Sequence, residues 1–471
     1  MKREIYAAIS PLDHRYYAGA PALFERLSEY LSENAYVRYQ ARVEAALTKV
    51  LARRHLCPPE VSVEVEKAAS EITPDEVYAE EAKTHHNIRA MVNCLQRRVS
   101  EEARPFVHFT ATSWDIMDTA RALQYRDVTD RVLLPLLYEL LGILIEITKR
   151  EACTPQIGRT HGQHAVPITF GFAMAEYVAR LGERLVALKE AAANLRGKMA
   201  GAVGAYNAAS LFFADPETFE EEVLAELGLS PAMHATQIVA PEYVTDWVHS
   251  LLTVMGVLAN LGDDLRQLQR TEIAEVGEAF QAGQVGSSTM PHKRNPWNFE
   301  HVKSIWKVFA PRIVTLYMDQ ISEHQRDLTN SASSRFIPEV AAGLADMADH
   351  LLRVLRKLVV DRERMAANLH LQKEMIVAEP LYIILASLGH PDAHEAVRRL
   401  TLASEKSGRP LYQLAAESEE LAPYLARLTP NQLQVLEKPE SYTGVAARKA
   451  AATAAYWENW LRNITSEREA N

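Results

Sequence analysis

The sequence predicts an all-α fold with three helical domains, of which the central one is a bundle of long helices. Two apolar periodicities lead to this prediction. From Trp247 to Leu268, apolar residues recur at alternating steps of four and three, which is typical of a helix packed nearly parallel to others. A second helical pattern runs from Asp115 to Arg150. The sequence shows no convincing alternating strand pattern, which favours the all-α class.

Further helical patterns cover residues 170–195, 301–320 and 338–358. Pro135 interrupts the pattern over 115–150, and we expect a kink there because proline removes a helical hydrogen bond. Boundaries near Arg104 and Arg362 predict an N-terminal helical domain over 1–111, the long-helix bundle over 112–361 and a C-terminal helical domain over 362–471. Because heptad seams often continue into partner subunits, we expect an oligomer.

Size and composition restrict the class of protein. A chain of 471 residues with 48% hydrophobic residues can bury a large core, and its formal net charge of −10 argues against a nucleic-acid surface. Its three cysteines lack CxxC spacing, so we expect free thiols in a reducing compartment. The amino terminus lacks the apolar run of a signal peptide, and the apolar stretch over 251–261 is too short to span a membrane. We therefore expect a cytoplasmic protein.

Residues 286–296 carry the most informative motif, Gly-Ser-Ser-Thr-Met-Pro-His-Lys-Arg-Asn-Pro. Its prolines and glycine predict an irregular loop. Ser287 offers a base, Lys293 a cation and Asn295 an amide, a set that suits removing a proton next to a carboxylate and holding the resulting dianion. On composition alone, a solvated polar loop is the more common explanation for such a segment.

A second segment, over 158–164, lies between two long helices in a loop bounded by prolines. His161 in this loop suits a general acid, because the pKa of histidine lies near working pH. A histidine bonded to a backbone carbonyl is the alternative. His161 and His164 have a metal-like spacing without a third ligand, so we expect no metal there.

Four further polar segments are candidates for binding. His86 and Asn87 lie inside a helical pattern, where partly exposed polar residues are common. Thr112 and Ser113 precede a long helix and suit either its cap or an anion at its N-terminus. The segments over 326–335 and 10–16 combine arginines with hydroxyl groups, which suits a phosphate, with a solvated turn as the alternative.

In this order the segments resemble the adenylosuccinate lyase family, within the fumarase/aspartase/argininosuccinase superfamily, and the resemblance covers most of the chain. The matching motifs are Ser10–Tyr16, Thr112–Asp115, Thr160–Gly162, Thr236–Ile238, the loop over 286–296 and the cluster of Arg326, Ser331 and Arg335.

The resemblance implies β-elimination of fumarate from adenylosuccinate and from the succinyl-carboxamide ribotide of purine synthesis, without a cofactor, in a homotetramer with shared sites. Ser287 would be the base and His161 the acid, oriented by Glu300. Lys293 and Asn295 would hold the carboxylate that gains charge. The other implied contacts are Thr112, Ser113 and Gln237 for the succinyl group or its neighbour, and Arg15, Tyr16, Arg326, Ser331 and Arg335 for the phosphate.

One position departs from the family pattern, because Asn87 follows His86 where the family has aspartate. That loss removes a carboxylate that could support a neighbouring imidazolium. The alternatives are another lyase of the superfamily, such as argininosuccinate lyase, fumarase or carboxymuconate cycloisomerase, and an inactive helical scaffold. The substrates of these other lyases lack a phosphate, so the cluster at Arg326, Ser331 and Arg335 favours the adenylosuccinate lyase family.

Overall fold

The computed structural model describes residues 5–279 and 289–470, and helices dominate its secondary structure, as predicted. The N-terminal helices are α1 Arg15–Gly19, α2 Pro21–Leu31, α3 Glu33–Arg53, α4 Pro59–Glu71, α5 Pro74–Thr84 and α6 Asn87–Gln96. The middle of the chain forms α7 Ser113–Val128, α8 Leu134–Arg150, α9 Phe170–Ala193, α10 Pro216–Ala225, α11 Glu242–Leu268, α12 Trp297–Phe309, α13 Arg312–Asp319 and α14 Ile337–Leu355.

Shorter helices follow, apart from the last. They are α15 Arg362–His370, α16 Lys373–Ile376, α17 Ala378–Ser387, α18 Ala393–Ser407, α19 Leu411–Ala416, α20 Ala422–Leu425, α21 Pro430–Glu437 and α22 Ala446–Ala470. The described strands form three pairs: β1 Pro155–Thr160 antiparallel to β2 Gln163–Thr169, β3 Arg196–Gly197 parallel to β4 Ser230–Pro231, and β5 Val276–Gly277 antiparallel to β6 Val359–Val360.

The chain forms two compact units, each assembled from separate stretches of sequence. The first comprises Met1–Tyr138, Glu183–Ala259 and His301–His350, and the second comprises Glu139–Gly182, Asn260–Glu300 and Leu351–Asn471. The predicted division at 111 and 361 stays a prediction.

The first unit has a well-packed core between α3, α7 and α11. The Tyr125 ring stacks on Trp247 with centroids 4.5 Å apart, and the Trp247 Nε1–H donates to Thr129 Oγ1 at 2.9 Å. Lys198 and Asp115 form an ion pair that is completely buried. These contacts fix α7, which matters because α7 carries several residues of the candidate site.

The expected irregularity before Pro135 is a π-helical segment over Thr129–Leu133 that joins α7 to α8. Pro135 has no N–H to donate to the Arg131 carbonyl four residues earlier. Arg26 donates its Nη2–H to that carbonyl instead, at 3.1 Å. The helical pattern predicted over 301–320 is likewise divided, into α12 and α13, at Pro311.

Helix α11 is long and apolar enough to cross a membrane by length and composition alone. However, 61% of its most apolar window is buried inside the protein, as in the core helix of a globular protein. Helix α11 is therefore an element of the core.

The prediction that residues 158–164 form a loop without strands is wrong, because these residues belong to the β1–β2 hairpin. Thr160 pairs with Gln163 across the two-residue turn His161-Gly162, where both residues have positive φ, 54° and 73°. Such a turn matches the twist of the two strands. The register shifts at Gly158, where a Cβ atom would lie 2.7 Å from the Val166 carbonyl oxygen, so only glycine fits. This bulge conceals the alternating pattern in the sequence.

Candidate active site

A cavity of about 580 Å³ lies in the first unit. Residues from α3, α5, α6, α7 and the segments over 237–245 and 316–337 line it. Seven of the side chains that the sequence assigns to binding are among them: His86, Asn87, Thr112, Ser113, Gln237, Ser331 and Arg335. The folded chain thus brings together residues that are up to 249 positions apart, from His86 to Arg335. Ligand sites are usually concave pockets of this size with a few convergent polar groups.

The N-terminus of α7 forms one wall of the cavity. Thr112 is the N-cap, and its backbone N–H donates to Asp115 Oδ2 at 2.8 Å in a capping box. The capping role considered for Thr112 is therefore confirmed. Asp115 also accepts hydrogen bonds from Lys198 and from the Gly201 N–H. Two interactions with the distant segment over 198–201 hold this helix start in place.

Asp118, one turn further along α7, is a cavity residue that the sequence reasoning missed. Its Oδ2 accepts the Val239 N–H at 2.8 Å, and this bond fixes the segment that carries Gln237. Burial raises the pKa of the Asp118 carboxyl to about 6, against the opposing effects of the Val239 N–H and of the charges on Lys198 and Arg326. A carboxyl with this pKa changes protonation close to neutral pH.

The cavity also has an aromatic, cationic side that the sequence reasoning missed. The Arg121 guanidinium lies 3.6 Å from the centre of the Tyr36 ring and donates to Gln124 Oε1 at 3.1 Å. Tyr125 follows on the same face of α7. In the sequence, the only signal for this side of the cavity is a spacing that places five residues on one helix face. Their positions are 117, 118, 121, 122 and 125.

His86 lies between α5 and α6 and Asn87 begins α6, so the prediction that one helix runs through both is wrong. His85 has φ 52° and ends α5, and His86 caps α6, with its Nδ1 accepting the Arg89 N–H at 3.2 Å. The Asn87 Oδ1 accepts the Ile88 N–H at 2.8 Å, and its Nδ2 lies 3.6 Å from Met117 Sδ. Asn87 is therefore held by local contacts at the cavity wall.

The arginine and serine cluster over 326–335 is divided by the fold. Ser331 and Arg335 are exposed and line the cavity. Arg326 is 9% exposed, has the strained φ of 117° and donates from Nη1 to the Asp319 carbonyl at 3.2 Å. Its Nε and Nη2 are buried without a hydrogen-bond partner in the part of the chain that the structure describes. A buried guanidinium with spare donors is suited to an anion.

Arg15 and Tyr16 begin α1 in the first unit and are not among the residues lining the cavity. Arg15 is exposed, and the Tyr16 ring is 5.4 Å from the His301 ring. Burial raises the pKa of the Tyr16 hydroxyl, and the Asp346 carboxylate adds to that shift.

The remaining predicted catalytic groups belong to the second unit. His161 is exposed at the tip of the β1–β2 hairpin, and Lys293 and Glu300 are exposed. Asn295 is half-buried. Ser287 lies outside the residues that the structure describes.

A buried network holds the hairpin that presents His161. Glu275 is completely buried and accepts from Arg159 at 2.5 and 3.1 Å, from Gln156 at 2.8 Å and from Asn368 at 2.8 Å. Bidentate pairing with a buried carboxylate restricts the hairpin far more than its short strands could. Glu275 could not be predicted from the sequence, because it lies 116 residues from Arg159.

Both flanks of the signature loop are also fixed within the second unit. Glu278 accepts the backbone N–H groups of Asn298 and Phe299 at 3.0 and 3.1 Å, and thereby caps the start of α12. Gln269 accepts the Glu278 N–H at 3.0 Å and donates to the Arg294 carbonyl at 3.3 Å. The segment that carries Lys293 and Asn295 is therefore held by Gln269 at Arg294, and the helix that follows it is held by Glu278.

Comparisons with known proteins identify related sequences. A lyase family model matches residues 14–308, and the adenylosuccinate lyase C-terminal model matches residues 322–434. An adenylosuccinate lyase of Pyrococcus horikoshii is 37% identical, with 97% of this chain and 99% of that protein covered. An N-acetyl-S-(2-succino)cysteine lyase of Enterococcus italicus is 31% identical, with 91% and 93% covered.

The fold has solved relatives as well. The crystal structure of a 3-carboxy-cis,cis-muconate lactonizing enzyme from Pseudomonas putida superimposes with a TM-score of 0.80 at 26% identity, over 93% of this chain and 97% of that one. Together, the family models and the nearly full-length relatives show that the chain belongs to the adenylosuccinate lyase family.

Proposed function

We propose that this protein cleaves adenylosuccinate to AMP and fumarate, and the succinyl-carboxamide ribotide of purine synthesis to its amine and fumarate. The observation that carries the proposal is the cavity of the first unit, where seven of the predicted binding residues line one space of about 580 Å³. Relatives named adenylosuccinate lyase, 37 and 38% identical to this chain over 97% of its length, support the same substrate.

The proposed chemistry is a β-elimination without a cofactor. Ser287 removes the proton next to the carboxylate, and Lys293 and Asn295 hold the doubly charged intermediate. His161 gives a proton to the departing nitrogen, and Glu300 orients it. One preorganised donor of this kind is worth about 3 kcal/mol of barrier. The hydrogen bond from Gln269 to the Arg294 carbonyl holds the backbone next to Lys293 and supports its role.

The nucleotide end of the substrate requires anion-binding groups. Ser331 and Arg335 at the cavity wall, together with Arg15 and Tyr16, are proposed to receive the phosphate. Arg326 is proposed to share this role, and the spare donors of its guanidinium support that assignment. Thr112, Ser113 and Gln237 are proposed to contact the succinyl group or its neighbour, with His86 and Asn87 beside them.

The assembly is proposed to be a cytoplasmic homotetramer with shared sites. Exposed apolar side chains on and after α13 support the association of subunits, because large apolar side chains gain from burial. They are Val314, Tyr317, Met318, Ile321 and Leu328.

The decisive variant is Ser287→Ala, with Ser288→Ala as its matched control, since the two serines are adjacent. We expect Ser287→Ala to bind adenylosuccinate with nearly normal affinity and to release no fumarate, whereas Ser288→Ala keeps most of its turnover. Unchanged turnover in Ser287→Ala would refute the assigned base.

A second candidate substrate follows from the relative in Enterococcus italicus, which is named for a succinylated cysteine. That substrate has no phosphate, so it would not need Ser331 or Arg335. Comparing kcat/KM for adenylosuccinate and for N-acetyl-S-(2-succino)cysteine distinguishes the two functions. A preference for the cysteine compound would favour the second.

A further inference from the structure

A cluster of two imidazoles and one carboxylate lies in the first unit, apart from the residues lining the cavity. Helix α12 supplies His301, and α14 supplies Asp346 and His350, which are four residues apart and so share one helix face. One possible ligand atom from each side chain lies within 4.8 Å of the other two. The sequence analysis did not find this cluster, because 45 positions separate His301 from Asp346.

The cluster is buried. The Asp346 side chain is 1% exposed, and the side chains of His301 and His350 are 16% and 11% exposed. Placing a carboxylate among packed helices is unfavourable unless charge or coordination compensates it. At this site either a protonated imidazole or a bound cation would offset that cost.

The contacts within the cluster differ in length. His301 Nε2 lies 2.7 Å from Asp346 Oδ2, which is a hydrogen-bond distance. By contrast, His350 Nδ1 lies 3.5 Å from Asp346 Oδ1, which is too long for a strong hydrogen bond. The His350 Nδ1 is instead 3.0 Å from the Asp346 backbone carbonyl.

That backbone contact determines the tautomer of His350. A carbonyl only accepts, so Nδ1 carries the hydrogen, and in the neutral ring the lone pair belongs to Nε2. Metal-binding histidines are commonly oriented in this way, with one nitrogen donating to a carbonyl and the other facing the metal.

We propose that His301, Asp346 and His350 bind a divalent transition-metal ion, of which zinc is the best fit. Two neutral imidazoles with one carboxylate suit Zn²⁺, whereas Mg²⁺ and Ca²⁺ prefer oxygen ligands throughout. Bonds of about 2.0–2.2 Å to zinc put neighbouring ligand atoms about 3.3 Å apart, so the His301–Asp346 contact opens by roughly 0.6 Å on binding.

The ion would connect α12 to α14 and complete its coordination with water. The Tyr16 ring lies 5.4 Å from the His301 ring at an angle of 49°, so α1 contacts the same site. The proposal is independent of the lyase activity, because zinc binding is measured without substrate.

The test uses the full-length chain after removal of metals with a chelator. Titration with Zn²⁺ in a calorimeter should show one ion per chain with a Kd in the micromolar range or below. His301→Gln, Asp346→Asn and His350→Gln should each weaken binding at least 100-fold. His370→Gln is the matched control, because His370 Nδ1 makes the same contact to a carbonyl four residues earlier, at 2.6 Å, on the exposed end of α15.

A spectroscopic measurement on the unmodified chain avoids the case in which a variant fails to fold. The X-ray absorption spectrum of the zinc-loaded protein should show nitrogen and oxygen neighbours only, with the outer-shell scattering of two imidazoles. Absence of zinc binding, undiminished binding in all three variants, or a spectrum without imidazole scattering would each overturn the proposal.

Discussion

Asp118 provides a quantitative test of the cavity, because burial raises its pKa from 3.8 to about 6. The folded protein holds this proton more tightly than the unfolded chain does. The free energy of unfolding therefore falls as the pH rises from about 4 to about 6, where only the folded form remains protonated. The difference of about two pH units corresponds to roughly 3 kcal/mol at most, at 1.36 kcal/mol per unit.

Asp118→Asn removes the charge while the side-chain oxygen still accepts the Val239 N–H. We expect the variant to be more stable than the wild type at pH 8, by up to about 3 kcal/mol, with about half that gain at pH 5 and almost none at pH 4. Urea denaturation at the three pH values, followed by tryptophan fluorescence, measures the difference.

Glu81→Gln is the control, since Glu81 also lines the cavity and the change removes the same charge. It should leave the pH profile of stability close to that of the wild type. The stability of Asp118→Asn relative to the wild type should differ between pH 5 and pH 8. An equal difference at both pH values would refute the reasoning that burial raises the pKa of Asp118.

Three further predictions concern other parts of the site. Lys198→Met should lower the free energy of unfolding by about 3–5 kcal/mol in denaturant titrations, because it leaves the Asp115 charge buried and unpaired. Glu275→Gln should reduce kcat about tenfold with KM within twofold, since it loosens the hairpin that presents His161; an unchanged kcat would contradict that role. Arg335→Ala should raise KM for adenylosuccinate at least tenfold in steady-state assays, and an unchanged KM would favour a substrate without phosphate.

The long helices could be predicted from sequence because their apolar spacing is a local property. The pattern from Trp247 to Leu268 corresponds to α11, Glu242–Leu268, and the pattern over 170–195 corresponds to α9. In both, the buried stripe alone determines the element. The π-helical segment before Pro135 was predictable as an irregularity but not in its form.

The β1–β2 hairpin could not be predicted in the same way. Its strands contain Gly158 at a bulge, and the Arg159–Glu275 contact that holds it joins residues distant in sequence. The break at His85 depends on a single residue in the left-handed region, which histidine adopts without a strong sequence signal.

In the candidate site as well, residues in local motifs were predictable and residues that depend on tertiary packing were not. Thr112, Ser113 and Ser331 stand in recognisable motifs, so the sequence located them before the fold was known. Asp118 and Arg121 are single polar residues on a helix face, and only tertiary packing makes them part of a cavity. Residues of this kind can be recognised as cavity residues only once α3 and the segment over 237–245 are known to pack against α7.

The most direct test of the proposed function is to incubate the purified protein with adenylosuccinate and measure fumarate and AMP by chromatography. We expect both products in equal amounts, without any added cofactor, and no products from the Ser287→Ala variant. Intact adenylosuccinate after prolonged incubation, together with cleavage of a succinyl compound that has no phosphate, would contradict the proposal.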